Sequence, residues 1–159
     1  MRRKAIATVG AFVLLGMAIT LAMDFNLSAL RDPGRIETAV AVRAKHLLIV
    51  RASRNGVPPE PEESAAGALE GKKNFGTECA MCHGLNGRTL TDNGRWMYPR
   101  AADLGSDQVQ RYSNRELFWI VKNGIRLSGM PAFGEVESDQ HIWDLVHYTR
   151  TFRSSPPAE

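Results

Sequence analysis

Residues 5–23, AIATVGAFVLLGMAITLAM, are uncharged without interruption, and Asp24 closes the run. As a helix at roughly 1.5 Å per residue this segment spans about 28 Å, close to the hydrocarbon thickness of a bilayer. The pattern predicts a transmembrane signal-anchor helix. Downstream, apolar positions are spaced rather than continuous. Ile36, Val40, Ala44, Leu47 and Leu48 fall on one helical face, behind Asp32 as an N-cap and Pro33 at the first helical position. The alternation of Ile36, Thr38, Val40 and Val42 is also a strand signal, so this stretch is ambiguous between helix and strand. Three further helices are predicted: about 65–78; 114–123, capped by Ser113 or Asn114 and stopped by Gly124; and about 138–152, opened by Ser138 or Asp139 with Ile142, Leu145, Val146 and Thr149 on one side. Between the first two lies a long loop over 84–104. No strand-rich pattern competes, and the expected class is all-α.

Punctuation divides the chain. Residues 24–35 read as a juxtamembrane linker, and Asn55-Gly56 followed by Val57-Pro58-Pro59-Glu60-Pro61-Glu62-Glu63 as an extended, semi-rigid spacer. The expected organisation is a basic n-region at 1–4, the anchor at 5–23, a juxtamembrane segment and linker at 24–63, a folded domain at 64–155 and a tail at 156–159. A 159-residue chain with 43% hydrophobic content has room for one such domain and not for two. About ninety residues bury little surface on their own, so a small helical domain of this size gains from a large group filling its middle.

Charge adds the orientation. Arg2, Arg3 and Lys4 account for the formal +3, and acidic and basic residues balance over the rest. Positive charge ahead of an apolar segment keeps the N-terminus cytoplasmic and sends the downstream chain outward. The competing reading is a signal peptide cleaved near Thr20-Leu21-Ala22, but the apolar run exceeds the usual h-region length, which favours an uncleaved anchor. Either way the domain is exported. The balanced charge gives no basic stripe for nucleic acid. Arg35, Arg43, Lys45, Arg51 and Arg54 suit a helix held against lipid headgroups, or one packed on the domain or on a partner subunit.

The chain's only two cysteines stand in Cys79-Ala80-Met81-Cys82-His83, the C-x-x-C-H pattern of c-type haem attachment. On a helix, positions i, i+3 and i+4 share a face, so two sulfurs and an imidazole meet one planar group. A structural zinc site wants a second pair of ligands, and His141 and His147, six apart, do not complete one. A thioredoxin-like pair wants a βαβ setting, and a plain disulfide leaves His83 without a purpose. For the second axial position, Met130 in Ser128-Gly129-Met130-Pro131-Ala132-Phe133-Gly134 is the leading ligand and Met97 the next. In that loop glycines permit close approach and Pro131 stiffens the turn.

From about Ala66 to Phe152 the sequence resembles a class I c-type cytochrome, of the kind seen in small bacterial cytochromes c and the haem subunits of cbb3-type oxidases. The matching pieces are Gly71 and Phe75, CAMCHGLNGR, YPRAADL, LFWIVKNGIRLSGMPAFG and IWDLVHYTR. The resemblance implies one covalent haem c on Cys79 and Cys82, iron ligated by His83 and Met130, and first and last helices crossing at Gly71 with Phe75 beside Leu145 and Tyr148. It implies that a proline carbonyl accepts the axial histidine's Nδ1 proton, for which Pro99 is the candidate; Trp96, Tyr98, Arg100 and Trp119 are candidates to line the pocket or hydrogen-bond the propionates, with plain packing or a solvated surface as the alternative. Where the family often has Pro-Pro-Asp-Leu, this chain has Ala101-Ala102-Asp103-Leu104. The implied function is single-electron transfer by a membrane-anchored carrier in a respiratory or photosynthetic chain, with membrane redox proteins as donor and acceptor, on the periplasmic face of a bacterial inner membrane. The alternatives are a fixed haem subunit of a larger complex and a haem-based sensor or enzyme.

Overall fold

The structure, a computed structural model, describes residues 2–24 and 28–154, without the side chains of 2–5 and 21–24. All regular elements among these residues are helical: α1 Arg2–Asp24, α2 Arg35–Ala52, α3 Ala65–Asn74, a π-helical turn Phe75–Cys79, α4 Ala80–His83, α5 Asp92–Trp96, α6 Asp107–Gln110, α7 Asn114–Asn123, α8 Asp139–Thr151 and a closing 3-10 turn Phe152–Ser154. The expected tail at 156–159 and part of the linker at 24–35 lie outside the described residues. Two compact units emerge, Met1–Asp32 and Pro33–Glu159.

In the first unit the backbone of α1 is helical through the whole apolar run. Its described side chains, residues 6–20, are all exposed. That stretch covers only about 22 Å at the α-helical rise. No helix among the described residues is long and apolar enough to cross a membrane, so the span expected over 5–23 is not among the observed features.

In the second unit, hydroxyl caps start the helices. Ser64 Oγ accepts from Gly67 N at 3.0 Å at the head of α3, and Ser138 Oγ from His141 N at 3.2 Å at the head of α8. Ser113 and Glu116 form a reciprocal box on α7, with Ser113 N donating to Glu116 Oε2 at 2.7 Å and Glu116 N to Ser113 Oγ at 3.3 Å. At α2 the helix wins over the strand pattern but begins later than Asp32-Pro33 suggests. Gly34 precedes it, with its N–H donating to Glu37 Oε2 at 3.3 Å. The loop expected over 84–104 contains α5, a single turn capped by Thr91, too short to show periodicity.

The frame is the crossing of α3 over α8. A Cβ on Gly71 would lie 2.3 Å from the Asp144 carbonyl oxygen, so only glycine lets these backbones meet. Beside the crossing, Phe75 packs on Tyr148 at 5.4 Å and Phe152 at 4.9 Å between ring centroids, over buried Leu145 and Ala80. A second cluster joins Val109, Tyr112, Leu117, Phe118, Ile142, Trp143 and Val146 to Ile49 of α2. Ile49 is 2% exposed, which makes α2 part of this core.

The polar strap after α2 is tied down as well. Arg115 Nε donates to the Ser53 carbonyl at 2.6 Å and its NH2 to the Arg54 carbonyl at 2.9 Å. Glu60 of the proline-rich stretch meets the buried His147 Nε2 at 2.9 Å. The sequence punctuation divides the chain at residue 63, whereas the contacts divide it at residue 32. Proline and acidic residues mark extended chain, but they carry no information on whether that chain is free or laid against a surface.

Candidate functional site

The π turn and α4 carry the Cys79–His83 motif, with both thiols unpaired and half-buried. Burial, with Glu78 and Cys82 beside it, pushes the free Cys79 thiol up to about 12. At neutral pH the free thiol is therefore protonated.

His83 is oriented through its Nδ1, which lies 2.8 Å from the Ala102 carbonyl oxygen. A carbonyl only accepts, so Nδ1 bears the proton and Nε2 keeps its lone pair for a metal. Burial lowers the imidazole's pKa, opposed by the Ala102 hydrogen bond. The ring is thus neutral at pH 7, the form that ligates iron. The acceptor is Ala102 rather than the expected Pro99, which is exposed. The cue was the register of Ala101-Ala102-Asp103-Leu104. A backbone carbonyl serves whichever residue carries it, so searching for a proline selected the wrong position.

The Ala102 carbonyl is held by its neighbour. Asp103 accepts from Arg88 Nε at 3.0 Å and Arg88 NH2 at 3.1 Å, a two-pronged pair in which the Arg88 side chain is 10% exposed. Asp103 Oδ1 also accepts from Gly105 N at 2.8 Å. Arg88 lies five residues beyond His83, so this pair ties the Cys79–His83 segment to the loop that orients the imidazole. Neither partner is identifiable as a site residue from spacing alone.

Met130 is half-buried in the loop after α7. Gly124 ends that helix at φ 65°, and the loop folds back so that Ile125 N donates to the Met130 carbonyl at 3.3 Å and Met130 N to Ser128 Oγ at 3.2 Å. Gly134 N returns to the Lys122 carbonyl at 2.9 Å. Met97 packs against this loop, close enough that a Cβ on Gly129 would sit 2.5 Å from its Sδ. Met97 therefore packs beside the loop that carries Met130. Among the expected pocket residues, Trp96 is 68% exposed and Tyr98 and Arg100 are also exposed, while Trp119 is half-buried against the core. The Tyr98 hydroxyl donates to Glu37 Oε1 of α2 at 2.8 Å.

Two thiols three residues apart beside an imidazole with only Nε2 available are the groups that covalent attachment of a haem and ligation of its iron require.

Comparison with known proteins agrees. No curated protein matches the sequence significantly. Among solved structures, a chain of a reducing HAO-like protein complex from Kuenenia stuttgartiensis superposes with a TM-score of 0.56 at 23% identity, covering 61% of this chain and 48% of that one. This chain thus spans about half the length of that relative, and the likeness is one of fold. The family profile described as cytochrome c oxidase, cbb3-type, subunit III matches residues 66–148. Since that match takes in more than half of the chain, together with the whole Cys79–His83 motif, the protein belongs to this family and is a cytochrome c domain protein with covalently bound haem c.

Proposed function

We propose that this protein is a membrane-anchored, single-haem electron carrier that passes one electron at a time between membrane redox proteins of a respiratory or photosynthetic chain. Cys79 and Cys82 hold the haem as thioethers, and His83 and Met130 ligate its iron. When bound, the haem supplies a one-electron iron couple, and thioether ligation raises its potential by favouring the reduced state. The observation that carries the reading is the His83 ring, turned by the Ala102 carbonyl so that Nε2 is its free ligand atom. With both axial positions filled from the chain, no site remains for oxygen or substrate. Anchoring is supported by the uncharged run 5–23, by the helical backbone of α1 and by Arg2, Arg3 and Lys4 ahead of it, which favour an extracytoplasmic haem domain.

Expression with haem-attachment machinery tests this reading. The wild type should carry one haem by intact mass and titrate as a single one-electron couple, and Cys79→Ser or Cys82→Ser should lower covalent haem. A two-electron or multi-component titration would refute the carrier reading. Washing membranes at alkaline pH tests the anchor. The full chain should stay in the pellet, and release into the wash would refute an integral span.

A second reading, a fixed haem subunit of a larger membrane redox complex, is favoured by two observations. One is the packing of α2 into the haem domain's core. The other is the family's description as an oxidase subunit. Stable partners through detergent purification would select it over the free carrier.

A further inference from the structure

A second cluster of ligand groups lies where the π turn meets the start of α8, separate from the proposed iron ligands. Glu78, Glu137 and His141 each offer a ligand atom, all within 4.8 Å of one another. His141 Nε2 is 3.0 Å from Glu78 Oε1, and its Nδ1 is 3.1 Å from Glu137 Oε2. Asn74 Nδ2 also lies 3.1 Å from Nδ1. The three side chains keep only 20–25% of their surface exposed. They are neither a solvated acidic face nor a sealed core.

Two observations ask for something more than an ion pair. The second Glu78 oxygen, Oε2, is buried without any hydrogen-bond partner, a position natural structures rarely leave unexplained. Two carboxylates also share one imidazole, which neutralises at most one of them even when protonated. Burial raises the Glu78 carboxyl above its ordinary range, with Glu137 adding to this and His141 opposing it. The helix widens into a π turn over Phe75–Cys79, the segment that carries Glu78, a distortion that often accompanies functional sites.

We propose that Glu78, Glu137 and His141 form a binding site for a divalent transition-metal cation of the zinc type, bridging the first and last helices of the haem domain. Two carboxylates and a neutral imidazole match the charge of a divalent ion and supply the mixed nitrogen and oxygen donors that zinc accepts, with water in a fourth position. Glu78 Oε2, unpartnered in the protein alone, gains a partner. One imidazole nitrogen turns to the cation while the other, as N–H, donates to an acceptor that fixes the ring, for which the Asn74 amide turns its oxygen to the imidazole. Bound there, the ion pins the π turn to α8 one residue before Cys79. It thereby stabilises the helix crossing.

The test is calorimetric titration of the haem-loaded full chain, stripped with chelator, with zinc chloride at neutral pH, alongside thermal unfolding. The expected result is saturable one-to-one binding and a raised midpoint. Binding should weaken at least about tenfold in Glu137→Gln and in His141→Gln and stay unchanged in His46→Gln, which alters an exposed histidine outside the cluster. If His141→Gln fails to fold, Glu137→Gln alone decides, because Gln preserves its shape. Absence of one-to-one binding, or binding equally tight in wild type and Glu137→Gln, overturns the proposal.

Discussion

At the scale of single residues the site depends on one backbone carbonyl and on what holds it still. His83 Nδ1 has its acceptor in Ala102, and the adjacent Asp103 is gripped by Arg88. Arg88→Ala leaves Asp103, 37% exposed, without its cation and should cost about 2 kcal/mol. Asp103→Asn keeps an acceptor and should cost less. Urea midpoints of the haem-loaded variants check both, and equal stability of Arg88→Ala and wild type would mean that the clamp contributes nothing. Glu78 gives a pH prediction. Its folded pKa is raised, chiefly by burial, so the folded state keeps the proton to higher pH than the unfolded chain does. The stability this contributes is complete below the ordinary value of 4.5 and is lost as pH rises through the raised one. Metal-free wild type should therefore lose stability across that window relative to Glu78→Gln, a difference that denaturant midpoints measured below 4.5 and at neutral pH will report.

At the scale of elements, α2 and the α3–α8 crossing are the features most exposed to refutation. Ile49 is 2% exposed among Val109, Tyr112, Phe118 and Trp143, so Ile49→Ala should cost about 2–5 kcal/mol. A change below about 1 kcal/mol would mean that α2 is only loosely docked. Gly71→Ala drives a Cβ into the Asp144 carbonyl, a backbone group that cannot turn aside, and should cost about 3 kcal/mol by thermal or chemical unfolding. The crossing was legible beforehand through the resemblance carried by Gly71 and Phe75. The helices at 114–123 and 139–151 were legible in apolar spacing and hydroxyl caps, because each is long enough for periodicity to register, while the helix expected over about 65–78 is α3 to Asn74 continued by the π turn. What escaped the sequence has definite physical causes. The single-turn helices α5 and α6 are too short to show a period. The docking of α2 depends on one buried isoleucine in a helix whose other apolar residues stay mostly exposed. The acceptor for His83 is a main-chain atom, which side-chain identity does not reveal.

At the scale of the whole molecule, the chain comprises a helical N-terminal unit and a haem-binding unit of the cbb3-type subunit III family. The resemblance covers about residues 66–152, and the haem unit also takes in α2 and the proline-rich strap. Residues 33–63 thus belong to the haem-binding unit. On the proposed reading, the electron enters and leaves through an iron closed on both axial sides by the chain, His83 from α4 and Met130 from the loop after α7. The most direct test is absorption spectroscopy of the oxidised, haem-loaded protein, which reports the weak far-red charge-transfer band of methionine-ligated ferric haem. The band should be present in the wild type, survive Met97→Leu and disappear in Met130→Ala. A band that persists in Met130→Ala, or its absence from the wild type together with ready binding of carbon monoxide to the reduced form, would contradict the closed, electron-transferring site.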